Sequence, residues 1–407
     1  MLTALSTPTT KRIALHVKPA AERAIKQGHP WLYDQGIIKQ SHEGQAGDLA
    51  VVYDNKNRFL AVGLYDPTSP IRVKILQAHK SADIGVEWFR DKLKMAIDLR
   101  EPLRDSDTNG YRLVHGENDG LPALIVDRYD DTLVIKIYST AWLPHLKSLL
   151  TALESVFRAE RWVLRLARNV GQPFGLKDGM ILRGTPLTES LTFEENGLLF
   201  LADVVHGHKT GFFFDQRDNR ALAGTLAKDR TVLDVFAYVG AFALYCAQGG
   251  AKSILGVDIS DPALTTAKQI YALNADKGRI GDVPFETMTG DAFKIMFGMV
   301  RQRRQYDMVI IDPPSFASSE SDVVGALRAY SQLAEMGAQL LAPGGVFVMA
   351  SCSSRVSAQE FFGTIIPSAH SVRPDLEEIT QTEHALDHPI GFPEGAYLKC
   401  WFARDEF

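Results

Sequence analysis

The clearest hydrophobic pattern in the chain runs through residues 231–258. Two short apolar runs, 232–235 and 253–257, flank a segment of helical composition at 241–248. This order predicts a strand, a turn, a helix and a second strand, with both strands buried in a parallel sheet. Asp234 and Asp258 mark the carboxyl ends of the two runs. Ligands of open α/β sheets bind at this edge, so the pattern predicts a ligand site there.

The turn after the first of these strands is poor in glycine. Phe236 and Tyr238 occupy positions where a phosphate-binding loop has glycines, and only Gly240 remains. Because backbone N–H groups need glycine to approach a pyrophosphate closely, a dinucleotide fits poorly and a nicotinamide oxidoreductase is disfavoured. Asp258 follows Asp234 by 24 residues (258 − 234), close to the spacing at which an acid binds ribose hydroxyls. Both features favour a nucleoside cofactor without phosphates, such as S-adenosylmethionine (SAM).

Three further apolar runs end in polar residues that we expect at the same edge. The third predicted strand ends near Asp291, and the fourth, 307–312, ends in Asp312 before the rigid segment Pro313-Pro314-Ser315-Phe316. The fifth follows a turn at 343–345 and ends at Cys352, between two serines. A free cysteine is usually a small buried apolar residue. That interpretation suits the other two cysteines, Cys246 and Cys400, better than it suits Cys352, which is a candidate catalytic residue.

The chain before residue 188 has a different pattern of short apolar runs separated by turn residues. Residues 1–80 predict a small β-barrel, and residues 81–187 predict a linking amphipathic helix followed by a small α+β domain. Residues 188–407 hold the α/β domain, which begins with a hairpin that turns at Asn196-Gly197. His115, Glu117 and Asp119 have a spacing that fits polar groups of a loop better than a metal site, and no metal is predicted.

Composition and charge narrow the class of protein. With 407 residues, 45% hydrophobic and 23% charged, the chain is typical of a globular protein, and no apolar run approaches the roughly 18 residues of a membrane span. The first twelve residues lack the apolar core of a secretion signal, and three scattered cysteines do not form a disulfide framework, so we expect a cytoplasmic location. The net charge is −5, yet residues 1–80 hold 11 Lys and Arg against 6 Asp and Glu. This local excess is compatible with RNA binding and equally with a solvated surface.

Several motifs resemble those of a known family. Residues 23–26, Gly28-His-Pro-Trp31 and Gly63-Leu-Tyr-Asp66 are similar to a PUA domain, a small RNA-binding barrel. Residues 209–217 (KTGFFFDQR), the turn after Asp234, the segment Asp312–Phe316 and Ser351-Cys352-Ser353 follow the order found in bacterial large-subunit ribosomal RNA cytosine-C5 methyltransferases. The resemblance covers nearly the whole chain. It implies a Rossmann-like class I SAM-dependent methyltransferase domain after the two smaller domains. The partner that it implies is ribosomal RNA, 23S in particular. It is compatible with an oligomer.

The resemblance also implies roles for individual residues. Cys352 would attack cytosine C6, Asp312 would bind the N3/N4 side of the base, and Phe316 with Pro314 would contact its ring. Asp258 would hold the ribose, Asp291 would lie near the adenine, and the segment around Gln216 would help to enclose SAM. The cofactor-binding residues implied in this way are Thr210, Phe213, Gln216, Asp234, Tyr238, Gly240, Asp258, Ile259, Asp291, Ala292, Asp312 and Pro313.

One departure and two alternatives remain open. Many RNA cytosine-C5 enzymes carry a second cysteine after the proline of the fourth strand, whereas this chain has Pro313-Pro314 and no cysteine nearby. The base that removes the C5 proton is therefore either Asp312 or a water. Methylation of a base nitrogen needs no thiol, and an aromatic residue after Asp312-Pro-Pro is also found in enzymes of that type. A non-catalytic RNA-binding assembly factor is the other alternative, disfavoured by the complete set of edge acids.

Overall fold

The computed structural model describes residues 9, 11–168, 170–171, 175–207 and 209–406. The expectation about a secretion signal depends on the first twelve residues, of which 1–8 and 10 lie outside the described residues. The chain forms two compact units. The first comprises Met1–Phe193, Ala202–Phe212 and Leu386–Gly395, and the second comprises Glu194–Leu201, Phe213–Ala385 and Ala396–Phe407.

The first unit begins with a six-stranded sheet, within residues 1–80, where short apolar runs separated by turn residues predict a small β-barrel. In the first strand the side chains of Ile13, Leu15 and Val17 are buried while the residues between them are partly exposed, which is the period of two expected for a strand with one face on a core. The strands pair in the order β2-β6-β5-β4-β1-β3. The elements are β1 (Ile13–Val17), α1 (Pro19–Lys26), β2 (Trp31–Tyr33), β3 (Ile37–Gln40), β4 (Leu49–Tyr53), β5 (Phe59–Tyr65) and β6 (Ile71–Ala78).

A five-stranded sheet with its helices completes the first unit. Its core is continuous with that of the barrel strands, since Leu64 and Leu76 belong to one buried cluster with Phe89 and Trp142. A division of the chain at residue 80 would therefore separate side chains of one core. The domain boundary at this position stays a prediction. The strand order is β11-β10-β9-β8-β7. The elements are α2 (Val86–Leu99), α3 (Glu101–Arg104), β7 (Gly110–His115), β8 (Leu124–Tyr129), β9 (Thr132–Ile137), α4 (Leu146–Val156), β10 (Arg161–Leu166) and β11 (Met180–Arg183).

The polar residues after β7 form a loop network. The Arg100 guanidinium donates to both carboxylate oxygens of Asp119, at 2.9 and 2.8 Å, and one oxygen of Asp119 also accepts the N–H of His115. Glu117 accepts from the indole of Trp31 at 2.9 Å. Within the described part of the chain, no group of three or more His, Cys, Asp or Glu side chains is arranged to hold a metal ion. These acids thus order the loop and tie it to the barrel strands.

The second unit is built on a seven-stranded sheet in the order β16-β15-β14-β17-β18-β20-β19. A hairpin, β12 (Leu191–Glu195) and β13 (Leu198–Ala202), precedes it, and its turn residues Asn196 and Gly197 both have positive φ, as the sequence predicts. The strands are β14 (Thr231–Val235), β15 (Ser253–Asp258), β16 (Phe285–Thr289), β17 (Tyr306–Ile311), β18 (Leu341–Ser351), β19 (Leu376–Thr382) and β20 (Lys399–Asp405). The helices are α5 (Arg217–Thr225), α6 (Ala241–Gln248), α7 (Asp261–Asp276), α8 (Ala292–Arg301), α9 (Val323–Gln339) and α10 (Ala358–His370).

Strands β14 to β18 are mutually parallel where they pair, so their carboxyl ends share one edge. The expected turn at 343–345 lies inside β18 instead of before it. The pairing with β17 jumps from Leu341 to Val346, and the residues between them form a bulge that keeps both flanks in the sheet. The Rossmann-like α/β fold is confirmed. Among the residues that the structure describes, every helix is too short or too polar to cross a membrane.

Candidate active site at the carboxyl edge of the seven-stranded sheet

The turn between β14 and α6 is closed by a carboxylate of the protein. Phe236 and Tyr238 have φ of 65° and 50°, a left-handed conformation that costs a non-glycine residue about 1–2 kcal/mol. The N–H of Tyr238 donates to an oxygen of Asp258 at 2.8 Å, and the N–H of Gly240 donates to the carbonyl of Ala237 at 2.7 Å. Two backbone donors of this turn are therefore engaged within the protein and do not point at a phosphate.

Asp234 lies beneath this turn and is 1% exposed. One of its oxygens accepts the N–H of Ala243, in the first turn of α6, at 3.2 Å. Burial raises the pKa of Asp234 from 3.8 to about 7, and repulsion from Asp312 and Asp258 adds to this effect. Three carboxyl groups thus act on one another at a single sheet edge. Such an edge repels a pyrophosphate and favours a ligand that carries positive charge.

At the end of β15, Asp258 supplies hydrogen-bond acceptors and Ile259 supplies apolar surface. The second oxygen of Asp258 accepts the N–H of Ser260 at 2.8 Å, so the carboxylate is held rigidly at the end of β15. Ile259, between them, is 73% exposed and offers an apolar side chain next to the acid. At the end of β16, Asp291 is exposed and caps α8 by accepting the N–H of Lys294 at 2.9 Å, while Ala292 is buried.

Asp312 follows β17 and is oriented by a chain of amide side chains. The amide of Gln216 donates to Asp312 at 3.0 Å, and Asn219 donates to the carbonyl oxygen of Gln216 at 2.6 Å. The hydroxyl of Thr382, on β19, donates in turn to Asn219. Sequence reasoning found Gln216 and Asp312 but missed Asn219 and Thr382, because neither belongs to a motif and both reach the site only through the fold.

The segment after Asp312 combines buried and exposed side chains. Pro313 is buried, Pro314 is exposed, and Phe316 is half-buried with its ring centre 5.2 Å from that of Tyr330. The Tyr330 hydroxyl lies 2.9 Å from that of Ser351, the residue before Cys352. Burial raises the pKa of Tyr330 to about 12, so the phenol is neutral at physiological pH. Tyr330 thus contacts both Phe316, in the segment after β17, and Ser351, at the end of β18.

Cys352 follows directly on β18 and is half-buried, whereas Cys246 and Cys400 are both 0% exposed. Strand β20 pairs antiparallel with β18 and sets Lys399 opposite Ser351. Sequence reasoning missed Lys399. The available signal was a lysine inside an otherwise apolar run at 397–403.

Besides Gln216, two predicted cofactor residues precede α5. The Phe213 ring packs edge-on against Tyr238, with 5.5 Å between ring centres, so it lies beside the turn after β14. Thr210 belongs to the first unit, where its buried hydroxyl donates to Asp127 at 2.5 Å. The cofactor role of Thr210 stays a prediction, as do the individual roles of the other predicted site residues.

The residues at this edge fit SAM. The cofactor supplies a methyl group bound to a positively charged sulfur. The carboxyl groups of Asp258 and Asp312, close to buried Asp234, suit this charge, and the N–H groups of Tyr238 and Gly240 are engaged within the protein. Asp258 and Ile259 would hold the ribose and the apolar face of the nucleoside, and Gln216 would keep Asp312 in position.

Comparison with known proteins agrees with this fit. A family model described as an S-adenosylmethionine-dependent methyltransferase matches residues 111–385, and one described as a PUA-like domain matches residues 15–78. A Deinococcus radiodurans protein named ribosomal RNA large subunit methyltransferase is 41% identical over 401 residues, which cover 97% of each chain. An Aliivibrio fischeri protein named ribosomal RNA large subunit methyltransferase I is 34% identical over 396 residues, covering 96% of this chain and 99% of its own.

Solved structures share the architecture. A SAM-dependent methyltransferase from Streptococcus mutans superposes with a TM-score of 0.81 at 21% identity, covering 96% of this chain and 99% of its own. A methyltransferase in complex with SAH superposes with a TM-score of 0.82, also at 21% identity, over 97% and 99% of the two chains. At these identities the likeness shows the fold alone. From the family match and the full-length relatives together, the chain belongs to the S-adenosylmethionine-dependent methyltransferase family, with a PUA-like domain ahead of its methyltransferase domain.

Proposed function

We propose that this protein methylates C5 of a cytosine in large-subunit ribosomal RNA, with Cys352 as the nucleophile. The observation that carries the proposal is the half-buried thiol at the carboxyl end of β18, on the same sheet edge as Asp234, Asp258 and Asp312. Cys246 and Cys400 are fully buried, which is the ordinary setting of an inert cysteine. The names of the full-length relatives support large-subunit ribosomal RNA as the substrate class.

The chemistry explains why a thiol is needed. Cytosine C5 is a poor carbon nucleophile. When the Cys352 thiolate forms a bond to C6, the electrons of the C5–C6 double bond shift toward N3 and make C5 enamine-like, able to take up a methyl group. A base then removes the C5 proton. The electrons of that C–H bond re-form the double bond, the S–C6 bond breaks, and the thiolate is regenerated.

Neighbouring side chains would hold the base for this attack. Asp312, oriented by Gln216, would accept hydrogen bonds at the N3/N4 side of the cytosine, and it is one of two candidates, with water, for removing the C5 proton. Exposed Pro314 and half-buried Phe316 would contact the ring. The target base must leave its stack to enter this site, at a cost of a few kcal/mol that is smallest in single-stranded RNA.

The first unit would supply RNA affinity and no chemistry. Its first 80 residues carry 11 Lys and Arg against 6 Asp and Glu, and a PUA-like domain matches residues 15–78. Lys18, Lys39 and Lys56 are all exposed there. Positive side chains of this kind bind phosphates without reading sequence, so this surface would position the RNA and leave base selection to the edge of the second unit.

The proposal is tested by trapping. Large-subunit ribosomal RNA, transcribed with 5-fluorocytosine in place of cytosine and freed of protein, is incubated with the full-length protein and SAM. Fluorine at C5 cannot leave as a proton does, so elimination stops and a covalent protein–RNA complex should survive a denaturing gel. Cys352→Ser should abolish both trapping and methyl transfer while SAM binding, measured by calorimetry, persists.

The matched control is a buried cysteine. Cys246→Ala should retain trapping and turnover, with only the packing loss expected for a small buried side chain. A Cys352→Ser protein that methylates RNA at near the wild-type rate would overturn the C5 mechanism. Methylation of a base nitrogen at the Asp312–Phe316 segment would then be the function, since it needs no thiol.

A further inference from the structure

A buried lysine lies at the turn that carries the candidate nucleophile. Lys399 begins β20, pairs with Ser351 across the sheet and is 1% exposed. Its ammonium group donates to the main-chain carbonyls of Ser353, Val356 and Tyr397. Ser351 and Ser353 flank Cys352, so the lysine spans the turn that carries the thiol.

The hydrogen bonds of Lys399 indicate its protonation state. An ammonium has three N–H donors and no acceptor, and three carbonyl oxygens take up all three donors. A neutral amine would direct its lone pair at one of these oxygens. Burial lowers the pKa of Lys399 from 10.5 to about 8, and the negative charges of Cys352 and Glu360 act in the opposite direction. At pH 7 the ammonium therefore predominates by about tenfold.

Few other charges face this turn. Glu360, near the start of α10, is exposed and acts on Lys399. Tyr330, on α9, is acted on by both Cys352 and Asp312, and it is a neutral phenol because its pKa is raised by burial. Arg355, three residues after Cys352, is exposed to solvent. Lys399 is the buried positive group at this turn on which the charge of Cys352 acts, and the low dielectric around it strengthens the interaction.

We propose that Lys399 is a positioning residue that fixes the turn after β18 and stabilises the thiolate of Cys352 through its positive charge. The inference rests on the proposed function, in which Cys352 is the nucleophile. The thiol proton passes to solvent and Lys399 keeps its three protons, so the lysine neither attacks nor removes the C5 proton. A cation beside a cysteine is the usual means by which a protein raises the fraction of thiolate at neutral pH.

The test measures thiolate formation directly and needs no RNA. The rate of Cys352 alkylation by iodoacetamide is followed by peptide mass spectrometry from pH 5.5 to 10 in the wild type, Lys399→Met and Lys399→Arg. Loss of a neighbouring cation should move the midpoint of the Lys399→Met profile upward by about one pH unit, which slows alkylation about tenfold below the midpoint. Lys399→Arg, which keeps the charge, should stay close to the wild type.

A purely structural role gives a different result. If Lys399 only held the turn, Lys399→Met would change the rate by the same factor at every pH and leave the midpoint unchanged, and that outcome overturns the proposal. Cys246 and Cys400 are 0% exposed, so their alkylation reports unfolding. If Lys399→Met alkylates at these two positions, Lys399→Gln, which retains two donors, takes its place with the same criterion.

The two proposals fail separately. Methylation of RNA by Cys352→Ser at the wild-type rate would sink the nucleophile assignment whatever the alkylation profiles show. If a folded Lys399 variant has an unchanged midpoint of Cys352 alkylation and 5-fluorocytosine trapping is normal, only the role of Lys399 is refuted.

Discussion

The buried acid at the end of β14 makes stability depend on pH in an unusual direction. Asp234 is 1% exposed, and its folded-state pKa is raised from 3.8 to about 7, first by burial and then by repulsion from Asp312 and Asp258. Asp234→Asn is the informative change. Asparagine has nearly the same shape and can still accept the N–H of Ala243 through its side-chain oxygen, but it cannot ionise.

The magnitude follows from linkage. Between pH 3.8 and about 7 the unfolded chain has released the Asp234 proton while the folded protein retains it, so stability falls as pH rises through this window. At 1.36 kcal/mol for each pKa unit, the full penalty is about 4 kcal/mol above pH 7 and absent below pH 3.8. Between pH 5 and pH 8 the wild type should lose roughly 3 kcal/mol that the variant does not lose.

The assay is calorimetric unfolding of the full-length wild type and Asp234→Asn at several pH values between 5 and 8. The variant should gain stability relative to the wild type steadily as pH rises. Asp276→Asn, an exposed acid at the end of α7, serves as the matched control and should show no such trend. A difference between Asp234→Asn and wild type that is constant with pH, or that shrinks toward pH 8, would refute the reasoning.

Two further predictions concern binding. Asp258→Ala removes the acceptor for the N–H groups of Tyr238 and Ser260, and calorimetry should show SAM affinity reduced by about tenfold or more, because a site built around a polar partner loses it; unchanged affinity would contradict the cofactor site. Replacing the exposed residues Lys18, Lys39 and Lys56 by alanine should lower the slope of log K for RNA against log salt by about 0.7–0.9 for each phosphate that the variant no longer binds. An unchanged slope would show that these side chains do not touch RNA.

Much of the second unit could be predicted from the sequence because its information is local. An apolar run long enough for a strand, followed by an acid, specifies a buried parallel strand and its carboxyl end without reference to distant residues. Strand β14, helix α6 and strand β15 occur where the pattern predicts them, and Asn196-Gly197 forms the predicted hairpin turn because both residues tolerate positive φ. Asp234, Asp258 and Asp312 could therefore be assigned to one edge in advance.

Other features were decided only by the tertiary structure. Lys399 reaches the turn of Cys352 because β20 inserts antiparallel between β18 and β19, an order of strands that no local pattern encodes. Residues 386–395 belong to the first unit although the sequence around them belongs to the second, and there Asp387 accepts the N–H of Arg112. The raised pKa of Asp234 likewise depends on burial and on neighbouring carboxylates. Charge, burial and partner are properties of three-dimensional proximity, and residues far apart in sequence acquire them only when the chain folds.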